Sequence, residues 1–427
     1  MIMNSIVDLF KRMIPLFIKR LIFKILDDVI AYQQKKALRR LQYKKTIRAV
    51  FMAIDVSAWK YDKVFRLMCE NPRFEPIIFV CPMVNYGREI MLEKMRESVH
   101  FYRDKGYKVV CSYDEKNDRY VDLRNEIQPD LLFYTNPYKD LIDYRYYITN
   151  FKDILTAYVS YYFTCSIDMN FNTNIPLYNL VWRKYVENDY TRQICIDFAK
   201  NKGRNSVVTG YPGIEPLIDN HKIDDPYIGD SRKRIIWAPH HTLEASLYGH
   251  SCFLKYAEFI LNLAGKYKDA ALFVFKPHPL LKAKLYKVWG KEKTDDYYAR
   301  WANGTNTYVN EGDYVDLFLS SDAMIHDSGS FVVEYLYVNK PVMRTINDVP
   351  LETQFNEFAL SCLKNYYMAS NQNEIGQFVE NVINGVDPLK EQRTDFVNKV
   401  LMPKGSPSQN IIDDILDSID NQILYRN

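Results

Sequence analysis

The chain has 427 residues, 47% apolar and 26% charged, with a formal net charge of +3 at pH 7. That length supports two domains with separate cores, and the composition excludes wholesale disorder. The near-neutral balance gives no whole-molecule attraction to nucleic acid, so none is expected as a partner. Seven cysteines (Cys69, Cys81, Cys111, Cys165, Cys195, Cys252 and Cys362) include no C-x-x-C pair. An odd, unpaired set excludes a disulfide scaffold and a zinc ribbon, and it fits a reducing compartment.

Residues 1–48 differ from the rest. Lys11, Arg12, Lys19, Arg20, Lys24, Lys35, Lys36, Arg39, Arg40, Lys44, Lys45 and Arg48 face only Asp8, Asp27 and Asp28. Ile6, Phe10, Met13, Phe17, Leu21 and Ile25 recur at helical spacing, which predicts one apolar and one cationic face. The uncharged run from Met13 to Ile18 is too short to span a bilayer. Charges inside the apolar stretch fit a cleaved signal peptide poorly. Pro15 kinks this helix or marks its start. An interfacial helix on an anionic membrane surface is the functional expectation, and a helix packed on the protein's own body is the alternative.

From Ala49 the pattern becomes short apolar strands alternating with helices, which predicts an α/β class. The predicted strands are 50–54, 76–80, 107–111 and 131–134, with helices over 60–70 and 89–105. Residues 49–216 are read as the first domain. The Asp-rich stretch 217–233, carrying Pro226 and Gly229, is read as a linker. A second α/β domain, 234–385, has predicted strands 235–238, 272–276, 307–310, 323–326 and 341–344. Residues 386–427 read as C-terminal helices, broken near Pro403–Pro407.

Histidines fall beside turns at the ends of these later strands. His240 and His241 follow Pro239, His278 lies in Lys276-Pro277-His278-Pro279, and His326 precedes Asp327-Ser328-Gly329-Ser330. Loops at the carboxyl ends of parallel strands converge on one crevice, so these groups are expected to meet. The Ser/Gly turn followed by a helix predicts a phosphate site made of free N–H groups and a helix dipole. Ser328 and Ser330 add hydroxyls, Gly329 lets a diphosphate approach, and Glu334, one turn on, accepts from ribose hydroxyls. A plainly capped helix, with Asp327 or Ser328 as cap, is the alternative. No G-x-G-x-x-G or Walker loop occurs, and no D-x-D pair, so a metal–diphosphate site is unsupported; Lys276 and the histidines would neutralise the leaving group. No metal or other cofactor is expected. Adjacent side chains diverge, so His240 and His241 are not expected to reach one ion, and Lys276 beside His278 suits an anion.

Thr209-Gly210-Tyr211-Pro212, the strand 235–239, Lys276-Pro277-His278-Pro279 and the run Ser321-Asp322 through Asp327-Ser328-Gly329-Ser330 to Lys340-Pro341 together resemble the CDP-glycerol glycerophosphotransferase family. The resemblance covers roughly residues 207–344. It implies a GT-B fold, two Rossmann-like domains facing across a cleft, with the donor nucleotide held by the C-terminal one. It also implies a lipid-linked or polysaccharide acceptor, and a peripheral place on the cytoplasmic face of the bacterial plasma membrane. Two departures stand out. His240-His241-Thr242 occupies the place of the family's frequent Thr-Trp-Arg, and the stretch 158–165 lacks the histidine of its His-Gly-Thr motif.

The resulting expectation is transfer of glycerol phosphate, or a related alditol phosphate, from a CDP-linked donor to a hydroxyl, with CMP leaving. Lys276, His278, His326, Asp327, Ser328, Gly329, Ser330 and Glu334 would hold the donor. His240 or His241 would contact the phosphate or the transferred group. Asp55, at the end of the first strand, is the candidate base, with a capping role as its alternative. A UDP-sugar transferase or epimerase of the same fold, and an inactive scaffold of a polysaccharide assembly complex, are the rivals.

Overall fold

A computed structural model describes residues 15–219, 223–225, 227, 229–244 and 251–426. Lys11, Arg12, Ile6, Phe10 and Met13 of the predicted amphipathic segment lie outside the described residues, as does the side chain of Phe17. Two compact units emerge: Met1–Tyr161 with Met169–Pro212 and Lys404–Asn427, and Tyr162–Asp168 with Gly213–Pro403.

The first unit is built on seven parallel strands. They are β1 (Ile47–Ala53), β2 (Phe74–Val80), β3 (Val109–Cys111), β6 (Leu131–Tyr134), β7 (Leu155–Val159), β8 (Arg183–Val186) and β9 (Ser206–Val208), in the order β3-β2-β1-β6-β7-β8-β9. A small antiparallel hairpin, β4 (Tyr113–Asp114) and β5 (Arg119–Tyr120), sits beside them. Val50, Phe51, Met52 and Ala53 are fully buried, as expected of a strand covered on both faces. Phe51 and Phe133 stack with ring centroids 4.5 Å apart.

A 27-residue helix, Leu16–Gln42, starts directly after Pro15 and packs on this unit. Ile30, Gln34, Ala37, Leu38 and Leu41 are buried, and Gln34 Nε2 donates to Leu180 O at 3.3 Å. At about 100° per residue, Leu21, Ile22, Ile25, Val29 and Tyr32 fall on the opposite face, and all five are exposed. The helix is thus part of the first unit's body as well as bearing an exposed apolar stripe. The expected separate segment 1–48 and first domain 49–216 are, over the described residues, one unit. The expected block 386–427 is divided: Lys390–Phe396 lies in the second unit, and Pro407–Asp420 returns to the first. Arg183, wholly buried in β8, anchors that return. Its Nε donates to Asp414 Oδ2 at 2.9 Å, and its Nη atoms to Ser418 Oγ at 2.8 Å and Leu424 O at 2.7 Å.

The second unit has six parallel strands: β10 (Lys233–Ala238), β11 (Ala271–Phe275), β12 (Thr307–Val309), β13 (Ala323–His326), β14 (Val342–Thr345) and β15 (Tyr367–Ala369). Their order is β12-β11-β10-β13-β14-β15, the doubly wound Rossmann arrangement, so both units are of the two-Rossmann-domain (GT-B) class. Trp237, Phe253, Phe275, Tyr297 and Trp301 form its aromatic core.

Candidate functional site: the loops at the second unit's switch point

In the second sheet, strand order reverses between β10 and β13. Ligands of open α/β sheets bind outside the carboxyl ends at that point. Three loops leave there: 239–242 after β10, 276–280 after β11 and 327–330 after β13. They are stitched together by the backbone. The His278 N–H donates to Pro239 O at 3.2 Å, and the His240 N–H to Asp327 Oδ1 at 2.6 Å. Asp327 Oδ2 also accepts from the Cys252 N–H.

The expected meeting of histidines is observed for three of the four. Ring centroids are 4.3 Å apart for His240 and His241, 5.0 Å for His240 and His278, and 4.1 Å for His241 and His278. The expectation that His240 and His241 diverge is incorrect. The chain turns sharply after Pro239 rather than running on as a strand, so both rings converge. Their candidate ligand nitrogens and that of His278 all lie within 4.8 Å of one another, a spacing that a cation could bridge.

Hydrogen bonds to the rings separate a cation from an anion. His278 Nδ1 accepts from the Leu280 N–H at 3.1 Å, and His240 Nδ1 accepts from the Thr242 N–H at 3.4 Å while contacting Thr242 Oγ1 at 2.6 Å. A backbone N–H can only donate, so the His278 Nδ1 is unprotonated in the neutral ring and its Nε2 carries the hydrogen, whereas the Thr242 hydroxyl can pair with either tautomer of His240. Metal-bound histidine needs the reverse, a bare nitrogen toward the ion and an N–H toward an acceptor. An Nε2–H on His278 suits an anion. Burial, then the neighbouring His241 and Lys284, push the His278 imidazole down to about 3. Burial and Lys284 also lower His241. Both rings are therefore neutral at pH 7.

His326 is a correction. Expected to bind substrate, it is wholly buried at the end of β13, with Nε2 3.3 Å from the Tyr366 hydroxyl. Burial and Arg344 hold it well below the usual imidazole range, so it is a neutral packing residue beneath the loop. Asp327 is 1% exposed and is a brace between loops rather than a surface contact. Desolvation raises its carboxyl to about 6 against the opposing pull of the two N–H donors and Arg344. Lys276 is also largely buried, and its Nζ donates to Asn310 Oδ1 at 3.0 Å and Gly312 O at 2.7 Å. It therefore fixes the 310–312 loop in place. Glu334 is buried and hydrogen-bonded to Tyr314, so no free carboxylate is offered to a ribose without movement there.

The turn itself keeps its expected openness. Ser328 is mostly covered, Gly329 partly and Ser330 exposed. A Cβ built on Gly329 would meet nothing within 4 Å, which leaves open space above that peptide. The expected helix is short: Phe331–Glu334 is one turn, continued as a 3₁₀ turn to Val338. A macrodipole of that length is small, so the anion-holding capacity rests on individual N–H groups instead. Arg344, not singled out from the sequence, underpins them. It is 1% exposed and donates to Ser328 O at 3.0 Å and Asp327 O at 3.1 Å, which ties down the carbonyls of the turn from below. A lone arginine inside an otherwise apolar strand was the available signal.

Asp55 belongs to the first unit. Its Oδ1 accepts from the Ser57 N–H at 2.8 Å and the Ser57 hydroxyl at 2.6 Å, which is the capping geometry of the 3₁₀ turn Val56–Ala58. That leaves Oδ2 as the only oxygen with which it could take a proton.

A family model described as CDP-glycerol:poly(glycerophosphate) glycerophosphotransferase matches residues 166–416. No curated protein matches the sequence. Among solved structures, a variant of the wall teichoic acid polymerase TagF soaked with CDPG is similar at a TM-score of 0.57 and 14% identity, over 95% of this chain and 97% of that one. A UDP-GlcNAc 2-epimerase from Neisseria meningitidis bound to UDP-GlcNAc gives 0.56 and 16%, over 87% and 100%. The S. aureus MnaA–UDP structure gives 0.54 and 16%, over 90% and 99%. At these identities the likeness is one of fold.

Proposed function

The chain belongs to the CDP-glycerol:poly(glycerophosphate) glycerophosphotransferase family, and on that premise we propose that the β10/β13 switch point is its donor site. The protein is a glycerophosphotransferase of cell-surface polymer synthesis: it moves glycerol phosphate from CDP-glycerol to a polymer acceptor and releases CMP. The observation that carries the site assignment is the convergence of His240, His241 and His278 at the switch point, with the Nδ1 of His278 taken by a backbone N–H so that its Nε2 donates.

In this reading the diphosphate lies over Gly329, where there is room for it. Ser330 and the amides of the 328–330 turn donate to one phosphate, and His240 and His278 to the phosphorus-bound oxygens that gain charge as CMP departs. Donors already in position when charge develops cost no reorganisation, which is where such sites gain most. Lys276, Asp327 and Arg344 act on the ligand indirectly by holding the loops that carry these donors. Glu334 reaches the ribose only if the Tyr314 contact opens. Calorimetry with CDP-glycerol, CDP and UDP tests this: CDP compounds should bind and UDP should bind more weakly. UDP binding well with CDP not binding would overturn the donor assignment in favour of a UDP-sugar enzyme.

A lipid-linked acceptor and a peripheral position on the inner face of the plasma membrane belong to the same proposal. No described helix is long and apolar enough to cross a membrane. The supporting feature is the Leu16–Gln42 helix. Its outward face carries Leu21, Ile22, Ile25, Val29 and Tyr32, then exposed Lys35, Lys36, Arg39 and Arg40. Apolar side chains followed by cations suit an interface of acyl chains and anionic headgroups. Its inward face is already buried in the first unit, so the helix would present that surface rigidly rather than as a free arm.

A further inference from the structure

We propose that His241 is the general base of the transfer, the group that accepts the proton of the attacking acceptor hydroxyl; this rests on the donor assignment above. The three imidazoles of the cluster are not equivalent. His278 has Nδ1 committed to a backbone N–H, so its Nε2 can only donate while neutral, and His240 has Nδ1 engaged by Thr242. His241 has no such commitment. Its Nδ1 is buried without a hydrogen-bond partner among the described residues. It is therefore the ring whose Nδ1 no neighbouring donor claims, which leaves its outward nitrogen able to present a bare lone pair.

Position and charge agree with that role. The ring lies 4.3 Å from His240 and 4.1 Å from His278, centre to centre, so a phosphate held by those two donors is next to it. A base must reach the proton that it removes directly or through one water, and a hydroxyl attacking that phosphorus comes within such reach. The groups facing His241 are His240 on its own loop, His278 on the β11 loop and Lys284 on the Leu281–Val288 helix. None is an acid that would hold the ring protonated. Burial and Lys284 keep it neutral at pH 7, with the lone pair available. A buried polar atom left without a partner costs stability, and such atoms commonly mark working sites. The sequence departs from the family's frequent Thr-Trp-Arg at this very place, and it lacks a histidine over 158–165. A base supplied from the β10 loop accounts for both departures together.

The acceptor oxygen forms a new bond to the phosphorus that carries glycerol. The bond from that phosphorus to the bridging oxygen breaks, and its electron pair leaves on CMP. The hydroxyl proton passes to His241 Nε2, and the imidazolium then releases it to solvent.

The test uses the full chain, CDP-glycerol as donor and a short poly(glycerol phosphate) oligomer as acceptor, with CMP release as the readout. His241→Ala should lower kcat by ~10²–10⁴-fold while the Kd for CDP-glycerol, from calorimetry, stays within about threefold. The acidic limb of the kcat–pH profile should vanish, and added imidazole should restore part of the rate. His278→Ala should instead weaken donor binding and keep the limb. A His241→Gln variant checks the fold, since it should bind donor and turn over slowly without imidazole rescue. A His241→Ala protein that loses donor affinity in step with rate, or keeps the acidic limb, would make His241 a phosphate ligand and overturn the proposal; so would unchanged kcat. Failure of the wild type to release CMP from CDP-glycerol would overturn the donor assignment itself.

Discussion

Asp327 should behave as a strut whose removal harms the site more than the fold. Its carboxylate is 1% exposed and holds the His240 N–H at 2.6 Å and the Cys252 N–H. Replacing it by alanine removes two hydrogen bonds to an ionised acceptor, worth ~3–6 kcal/mol together. It also removes a buried charge. The carboxyl is raised from 3.8 to about 6, about two units at 1.36 kcal/mol each, so roughly 3 kcal/mol is returned at neutral pH. The net loss for Asp327→Ala at pH 7.5 is then roughly 0–3 kcal/mol. The sign of the pH dependence follows from linkage. Between the unfolded and folded pKa the native state holds the proton and the unfolded chain does not, so this group's contribution is full below the unfolded value and is lost as pH rises through about 6. The stability gap between wild type and Asp327→Ala should therefore be larger at pH 4.5 than at pH 7.5, by ~2 kcal/mol. Urea unfolding of both proteins at the two pH values measures it, and the histidine titrations common to both cancel. Donor affinity at pH 7.5 should fall at least ~10-fold even where stability barely changes, because the loop that carries His240 loses its tether. A gap that is flat or widens toward pH 7.5 would refute the account of a desolvated, ionisable brace.

Ser330→Ala and His278→Ala should each weaken CDP-glycerol binding in calorimetry, by ~1–3 kcal/mol for one lost donor to a charged group; unchanged affinity in both would remove the turn and the β11 loop from the donor site. Changing Leu21, Ile22 and Ile25 to serine should reduce co-sedimentation with anionic vesicles at least ~10-fold while leaving the melting temperature within a few degrees, since all three are more than half exposed. Wild-type levels of sedimentation would dismiss the membrane face. Deleting the first 45 residues is a poorer test, because it would also strip Leu38 and Leu41 from the first unit's core. CMP release should survive thorough EDTA treatment, and metal analysis should find no stoichiometric zinc or iron; stoichiometric metal lost together with activity in His278→Ala would reverse the tautomer argument for the cluster.

What could be read from the sequence was mostly what strand periodicity carries. The ends of β10, β11 and β13 were located within a residue or two, and strand order then brings three loops together whatever fills them. β8 was missed because Arg183 and Lys184 make it look like surface. Both are buried, and the partner that makes Arg183 tolerable, Asp414, lies 231 residues away. A charge inside a strand is legible only with its counter-ion, which no local window contains. The roles within the site divide in the same way. Ser330 and Gly329 could be proposed from sequence because what the reading asks of them is local: a hydroxyl and an uncovered peptide. Asp327, Arg344 and His326 could not, because what they do depends on neighbours brought by other strands. A carboxylate beside a phosphate-binding turn looks like part of the contact surface until the two backbone amides that claim it are seen. The histidines show the same dependence most sharply. Their identities imply only that a metal or an anion is in play; it is the Leu280 N–H, behind the His278 ring, that sets which of its nitrogens carries the hydrogen and so favours an anion at the front of that ring.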